Sequence, residues 1–262
     1  MGQTLVIAEK PSVAGDIARA LGGFKKDGDF WVSDAMIVGS AVGHLLEIKA
    51  PEEYDVKRGR WSFANLPVLP PHFDLQPIKK SIKKFEGLEK KIRSRSVTDI
   101  INACDAGREG ELIFRYIIQA TGTKKPIRRL WLQSMTKASI QKAFTALRSD
   151  AEMKPLEAAA RSRSEADWLV GINGTRALTA FNSKDGGFFL TTVGRVQTPT
   201  LAIVVAREEE ITHFKPQNYW EVHATFGAQA GDYDSVWVDA DFKKTKGQSA
   251  ELKPERLWTA AE

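Results

Sequence analysis

The sequence predicts an α/β fold in which a mostly parallel sheet carries helices on both faces, followed by an α-helical domain and the first strands of a further β domain. Three observations predict it. The apolar runs Leu5–Ala8 and Asp99–Cys104 do not alternate in polarity, as expected of strands buried on both faces, and a helical pattern follows each. Strand and helix patterns then take turns up to about Asp150. Beyond Asp150 long helical patterns rich in Ala and Arg take over, and alternation returns from Tyr219. The expected divisions are residues 1–152, 153–215 and 216–262.

The first strand spans Thr4–Glu9, and Pro11, at a first helical position, opens a helix to Leu21 that Gly22-Gly23 stops. Phe30–Ser33 and Met36–Val42 read as a strand pair, after which the pattern breaks at Gly43-His44-Leu45-Leu46-Glu47. Residues 50–77, rich in Pro and aromatic residues and without a period, read as an ordered loop. A helix over Lys79–Ser94 leads to a strand at Thr98–Cys104, a helix over Glu109–Ala120 and a short strand at Arg128–Leu132. Thr136 caps a helix to about Leu147. Long helices are expected over Pro155–Phe181 and Val196–Ile211, and Trp220, Val222, Ala224, Phe226, Val236 and Val238 mark later strands.

With 262 residues, 42% of them hydrophobic and 27% charged, the chain has the composition of a globular protein. No run of 18 apolar residues reads as a membrane span, and the N-terminus enters a strand without a signal-peptide pattern, so a cytoplasmic location is expected. One cysteine, Cys104, excludes an internal disulfide and a CxxC zinc site, so any metal here is expected to be held by oxygen. The net charge of +5 fits a polyanionic partner, although many basic proteins have none. Lys79, Lys80, Lys83, Lys84, Lys90, Lys91, Arg93 and Arg95 crowd into one stretch whose plain reading is a solvated helix face.

Glu9 and Asp105 fall at the carboxyl ends of two strands, where open α/β sheets bind ligands. Glu109 joins them at a helix N-terminus, across a turn that Gly107 keeps flexible. Carboxylates so placed suit Mg²⁺, which wants oxygen ligands and retains waters. Lys10 offers a point charge to a phosphoryl oxygen, and a carboxyl of raised pKa beside it can donate a proton to a departing sugar oxygen. The plainer alternatives are that Glu109 and Glu111 decorate a helix start, that Glu9 pairs with Lys10, and that His44 is a structural hydrogen-bonder.

Leu5-Val6-Ile7-Ala8-Glu9-Lys10-Pro11-Ser12, Gly43-His44-Leu45 and Asp105 through Ile113 resemble the Toprim domain of type IA DNA topoisomerases. Ala166-Asp167-Trp168-Leu169-Val170-Gly171-Ile172-Asn173-Gly174-Thr175-Arg176-Ala177 and Val193 through Leu201 resemble the helical DNA-binding segment of the same family, in its bacterial topoisomerase III branch. The resemblance implies a Rossmann-like Toprim fold, with Glu9 as proton donor to the leaving 3′ oxygen and Lys10 on the scissile phosphate. It assigns Asp105, Glu109 and Glu9 to Mg²⁺, and His44, Arg108, Asp167, Trp168, Arg176, Arg195, Gln197 and Thr198 to single-stranded DNA. Trp168 could be a stacking platform for a base, and its plainer reading is core. In this family strands are cut and resealed through a phosphotyrosine ester without ATP, for relaxation or decatenation, by a monomer acting in the nucleoid. Two departures stand out. The family pattern Asp-x-Asp-x-Glu is Asp105-x-Gly107-x-Glu109 here, which implies weaker, water-rich Mg²⁺ binding. None of Tyr54, Tyr116, Tyr219 and Tyr233 stands in the Arg-bearing context of the nucleophile, so the chain is expected to stop before that domain and to bind DNA without strand passage. The alternatives are a hydrolytic Toprim nuclease, in which water replaces tyrosine, and a non-catalytic DNA-binding module.

Overall fold

The computed structural model describes residues 2–53, 61–243 and 252–259. The chain forms two compact units, Met1–Thr200 and Leu201–Glu262. In the first, β1 (Gln3–Ala8), α1 (Pro11–Leu21), β2 (Lys25–Asp27), β3 (Phe30–Val32) and β4 (Met36–Ser40) are followed by β5 (Leu46–Ile48), β6 (Leu75–Pro77) and α2 (Ile82–Arg93). Then come β7 (Val97–Ala103), α3 (Arg108–Thr121), β8 (Ile127–Arg129), α4 (Lys137–Phe144), β9 (Arg148–Ser149) and the long α5 (Asp150–Asn182). α6 (Gln197–Thr212) runs across the division, and β10 (His223–Ala228) and β11 (Gly231–Val236) belong to the second unit.

Seven strands form one sheet in the order β2-β3-β4-β1-β7-β8-β9. Its four middle strands, β4, β1, β7 and β8, are parallel, and the antiparallel pairings lie at the edges. The period-two geometry of β1 sends Leu5 and Ile7 to one face and Val6 and Ala8 to the other. The first face packs on Phe85, Leu88 and Ile92 of α2 and Phe114 and Ile117 of α3, the second on Ile17 of α1 and Ile140 of α4. Apolar residues on both faces are the reason the strand sequences do not alternate. Each fully buried Leu or Ile contributes about 1.5–3 kcal/mol to this sandwich. α2 buries only Phe85, Leu88 and Ile92, which leaves its lysines on the outer side.

Several elements depart from the sequence expectation. Residues 46–48 and 75–77 pair as a small antiparallel sheet, extended by Lys49 N–H to Asp74 O at 2.9 Å and Ile78 N–H to Leu45 O at 2.9 Å, where a loop was expected. The expected loop's residues 54–60 lie outside the described residues. α5 begins at Asp150 rather than Pro155, because Ser149 and Glu152 form a capping box that starts the helix upstream of the proline. Thr136 caps α4 as expected, accepting from Ser139 N–H. In the second unit the hairpin β10–β11 pairs His223 with Val236 and stacks Phe226 on Tyr233 at 5.5 Å.

Candidate functional site

β1, β4 and β7 end side by side at one edge of the sheet, and the turns that follow them carry the candidate residues. The Glu9 carbonyl accepts from Val42 N–H at 2.7 Å and Gly43 N–H at 3.2 Å, which fixes the turn bearing His44 against the one bearing Glu9 and Lys10. Val42 takes φ 62°, a left-handed conformation costly for a β-branched residue, and Gly43 follows at φ 82°. Lys10 Nζ reaches Asp105 Oδ2 at 3.0 Å, joining the β1 and β7 turns, and His44 Nε2 reaches Glu109 Oε1 at 2.5 Å, joining the β4 turn to α3. The hydrogen bond that Lys10 donates to Asp105, with the charges of Asp105 and Glu9, raises the Lys10 pKa, so its ammonium persists across the neutral and mildly alkaline range.

The Asp105 turn rests on a buried polar network. Arg129, 1% exposed, donates from Nη1 to the Cys104 carbonyl at 2.7 Å and to Asn102 Oδ1 at 2.8 Å, and from Nη2 to the Asp105 carbonyl at 2.7 Å. Glu111, fully buried, accepts from Asn102 Nδ2 at 3.0 Å and Arg115 Nε at 2.7 Å, and lies 3.5 Å from Arg129 Nε. Arg115 continues to Asp150 at 2.6 Å and Glu157 at 3.3 Å on α5. Gly110 closes the arrangement. A Cβ there would stand 2.2 Å from the Asp105 carbonyl oxygen, so only glycine lets α3 start this close to the turn.

A cleft of about 240 Å³ lies between α3, α5 and the β4 turn, lined by His44, Arg108, Glu109, Leu112, Ala160, Arg163, Ser164 and Asp167. Asp167 accepts from Arg195 Nη1 at 2.8 Å and faces Arg163 at 3.8 Å. His44, Arg108, Glu109, Asp167 and Arg195 are thus brought together. Thr198 Oγ1 accepts from Gly194 N–H at 3.0 Å, and Gln197 is exposed beside it. The structure places two other expected DNA contacts in internal packing instead. Trp168 donates to the Lys49 carbonyl at 3.1 Å and meets Phe73 edge-on, and Arg176, 5% exposed, pairs with Glu52 and lies 5.2 Å from the Trp61 ring centroid.

A Toprim domain model matches residues 4–135 and a DNA topoisomerase model residues 151–259. The chain belongs to the type IA DNA topoisomerases. It is 42% identical over 258 residues to DNA topoisomerase 3 of Bacillus anthracis, covering 98% of this chain and 34% of that protein. It is 44% identical over 223 residues to DNA topoisomerase 3 of Staphylococcus aureus strain USA300, covering 85% of this chain and 31% of the relative. The fold is that of full-length topoisomerase I from Thermotoga maritima, at 22% identity and a TM-score of 0.54, over 94% of this chain and 36% of that one. The chain therefore spans about a third of the length of the curated relatives it matches.

Toprim domains of topoisomerases generally bind Mg²⁺. Among the described residues no three metal-ligating side chains stand together, because Asp105 is turned to Lys10 and Glu109 to His44 rather than into a common cage. The donor set nevertheless fits a hard cation. Glu9 Oε2 is buried without a hydrogen-bond partner among the described residues, which leaves one carboxylate oxygen at this edge of the sheet in need of a positive ligand. Sequence reasoning missed Arg129, Glu111 and Gly110 as supports of the site. Their signals were present: a glycine in the first turn of a helix, and an acid–arginine pair at i, i+4 inside an apolar helix.

Proposed function

We propose that this chain supplies the metal-assisted phosphate site and part of the single-strand groove of an enzyme that cuts and reseals one DNA strand through a phosphotyrosine ester, for relaxation or decatenation without ATP. The supporting observation is the convergence of Glu9, Lys10, His44, Asp105 and Glu109 on the carboxyl edge of the sheet, joined through the cleft to Asp167 and Arg195. Lys10 would meet a non-bridging oxygen of the scissile phosphate, and Glu9 would hold the proton destined for the 3′ oxygen. Glu9, Asp105 and Glu109 would hold Mg²⁺, which when bound neutralises phosphate charge. His44, Arg108, Asp167, Arg195, Gln197 and Thr198 would flank the strand, with Arg giving forked donors to phosphate. Trp168 and Arg176, held in packing, would shape the groove from behind.

Tyr116 donates its hydroxyl to Ser164 rather than facing this site, Tyr219 and Tyr233 belong to the second unit, and Tyr54 lies outside the described residues. The 262-residue chain is therefore proposed to act as a monomer that binds single-stranded DNA and Mg²⁺ without strand passage, and the complete enzyme to work on the nucleoid in the cytoplasm. Among the described residues no helix is long and apolar enough to cross a membrane.

Plasmid relaxation and oligonucleotide binding by the 262-residue chain test the reading. Salt-sensitive single-strand binding without relaxation is expected, and Mg²⁺-dependent nicking lost in Glu109→Ala would replace the reading with the hydrolytic one. Gly107 offers a sharper test. Its φ of 175° is extended backbone open to any residue, and a Cβ there meets nothing within 4 Å, so Gly107→Asp adds a fourth carboxylate without strain. Calorimetry is expected to show tighter Mg²⁺ binding in Gly107→Asp and loss of binding in Asp105→Ala; unchanged heats in both would remove the metal assignment.

A further inference from the structure

A larger cleft, about 610 Å³, opens on the other side of the β1 and β4 turns, between α1, the β2–β3 hairpin and the start of α2. The proposed single-strand groove does not use it. It begins where that site ends: Pro11 and Ser12 follow Lys10 directly, and Val42 precedes the turn of His44. Its charged lining is Arg19, Lys26, Lys80 and Lys84 against the single carboxylate of Asp29. Lys84 is committed to Asp29 at 3.1 Å and Arg19 pairs with Asp16, whereas Lys80 is exposed with no carboxylate partner among the described residues and Lys26 lies 5.4 Å from the Trp31 ring centroid. Ser40, 1% exposed, also lines the cleft and carries a hydroxyl that can donate. α1 opens onto the same space with no side chain capping its N-terminus, so the helix dipole adds to the positive field.

We propose that this cleft is a second binding site for the sugar–phosphate backbone of single-stranded DNA, continuing the strand's path away from the Lys10–Asp105 turn. It rests on the single-strand reading of that turn and its groove. Lys26 and Lys80 meet successive phosphates, Ser40 donates to one of them, and the hairpin, clamped to α2 through Lys84–Asp29, forms the outer wall. The lysine-rich stretch then divides its work: Lys84, with Lys91 over the Phe30 ring at 5.1 Å, holds the wall, and Lys80 faces the ligand.

The test is fluorescence anisotropy of a labelled oligothymidylate of about 16 nucleotides with the 262-residue chain. Lys26→Ala/Lys80→Ala is expected to weaken binding about tenfold and to lower the slope of log affinity against log salt by about 1.4, the loss expected for two phosphate contacts. In the unaltered chain the oligonucleotide is expected to shield Lys26 and Lys80 from acetylation while the exposed Lys124 keeps reacting, a readout that needs no variant. Unchanged affinity, slope and acetylation, with Arg195→Ala still weakening binding, would overturn the cleft and leave the groove reading standing. Failure of both variants to alter binding would overturn both. Displacement of the oligonucleotide by inorganic phosphate at equal phosphate concentration would mark a small-anion pocket and overturn the strand proposal.

Discussion

Two sets of charges lie within one turn of each other on α3 and behave as opposites. Glu109 and its partner His44, like Lys10 and Asp105, stand in solvent, with side chains between 36% and 67% exposed. Glu111, two residues further on, is sealed with Arg115 and Arg129, each 5% exposed or less. The same residue types therefore do two jobs, set by burial alone. Exposed pairs cost little to separate and are free to exchange partners for a phosphate or a cation. Buried pairs cannot separate without stranding a charge, so they fix the backbone from which the exposed ones act.

Substitutions that breach the buried set should have the largest effect. Arg129→Leu leaves the Cys104 and Asp105 carbonyls without their donors and takes from Glu111 one of its two guanidinium neighbours, and is expected to cost about 3–5 kcal/mol in denaturant unfolding. Gly110→Ala forces α3 off the Asp105 turn for about 1–3 kcal/mol, with Mg²⁺ heats falling alongside stability. Val42→Gly is expected to relieve the left-handed strain and raise stability by about 1 kcal/mol, since Val42 is 54% exposed and buries little. Lys10→Ala should leave the unfolding midpoint where it is while weakening oligonucleotide binding; a midpoint as low as that of Arg129→Leu would erase the distinction between the two sets. Cys104, whose pKa burial pushes far up, should resist thiol reagents until the chain unfolds.

The carboxyl-edge placement of Glu9 and Asp105 was legible because β1 and β7 are buried on both faces, and a strand covered on both faces needs an unbroken apolar run. The support of Asp105 was not. Glu111 in a first helical turn looks like ordinary dipole compensation, and only the return of the chain through Arg129 on β8 shows what it faces. The β5–β6 pairing was hidden for a related reason: two three-residue strands far apart in sequence leave no periodicity to read. The start of α5 was available in Ser149-Asp150-Ala151-Glu152, but Pro155 is the louder signal and drew the boundary to itself.

Arg115 has a mechanical consequence. It ties α3 to Asp150 and Glu157 at the beginning of α5, and Tyr116 adds a bond to Ser164 at 2.9 Å. Beyond Glu157 the helix carries Asp167 about 15 Å along its axis. With the guanidinium as fulcrum, a rocking of the rod by about 5° would swing the Arg195 anchor through about 1 Å, roughly the tolerance for positioning a reacting group.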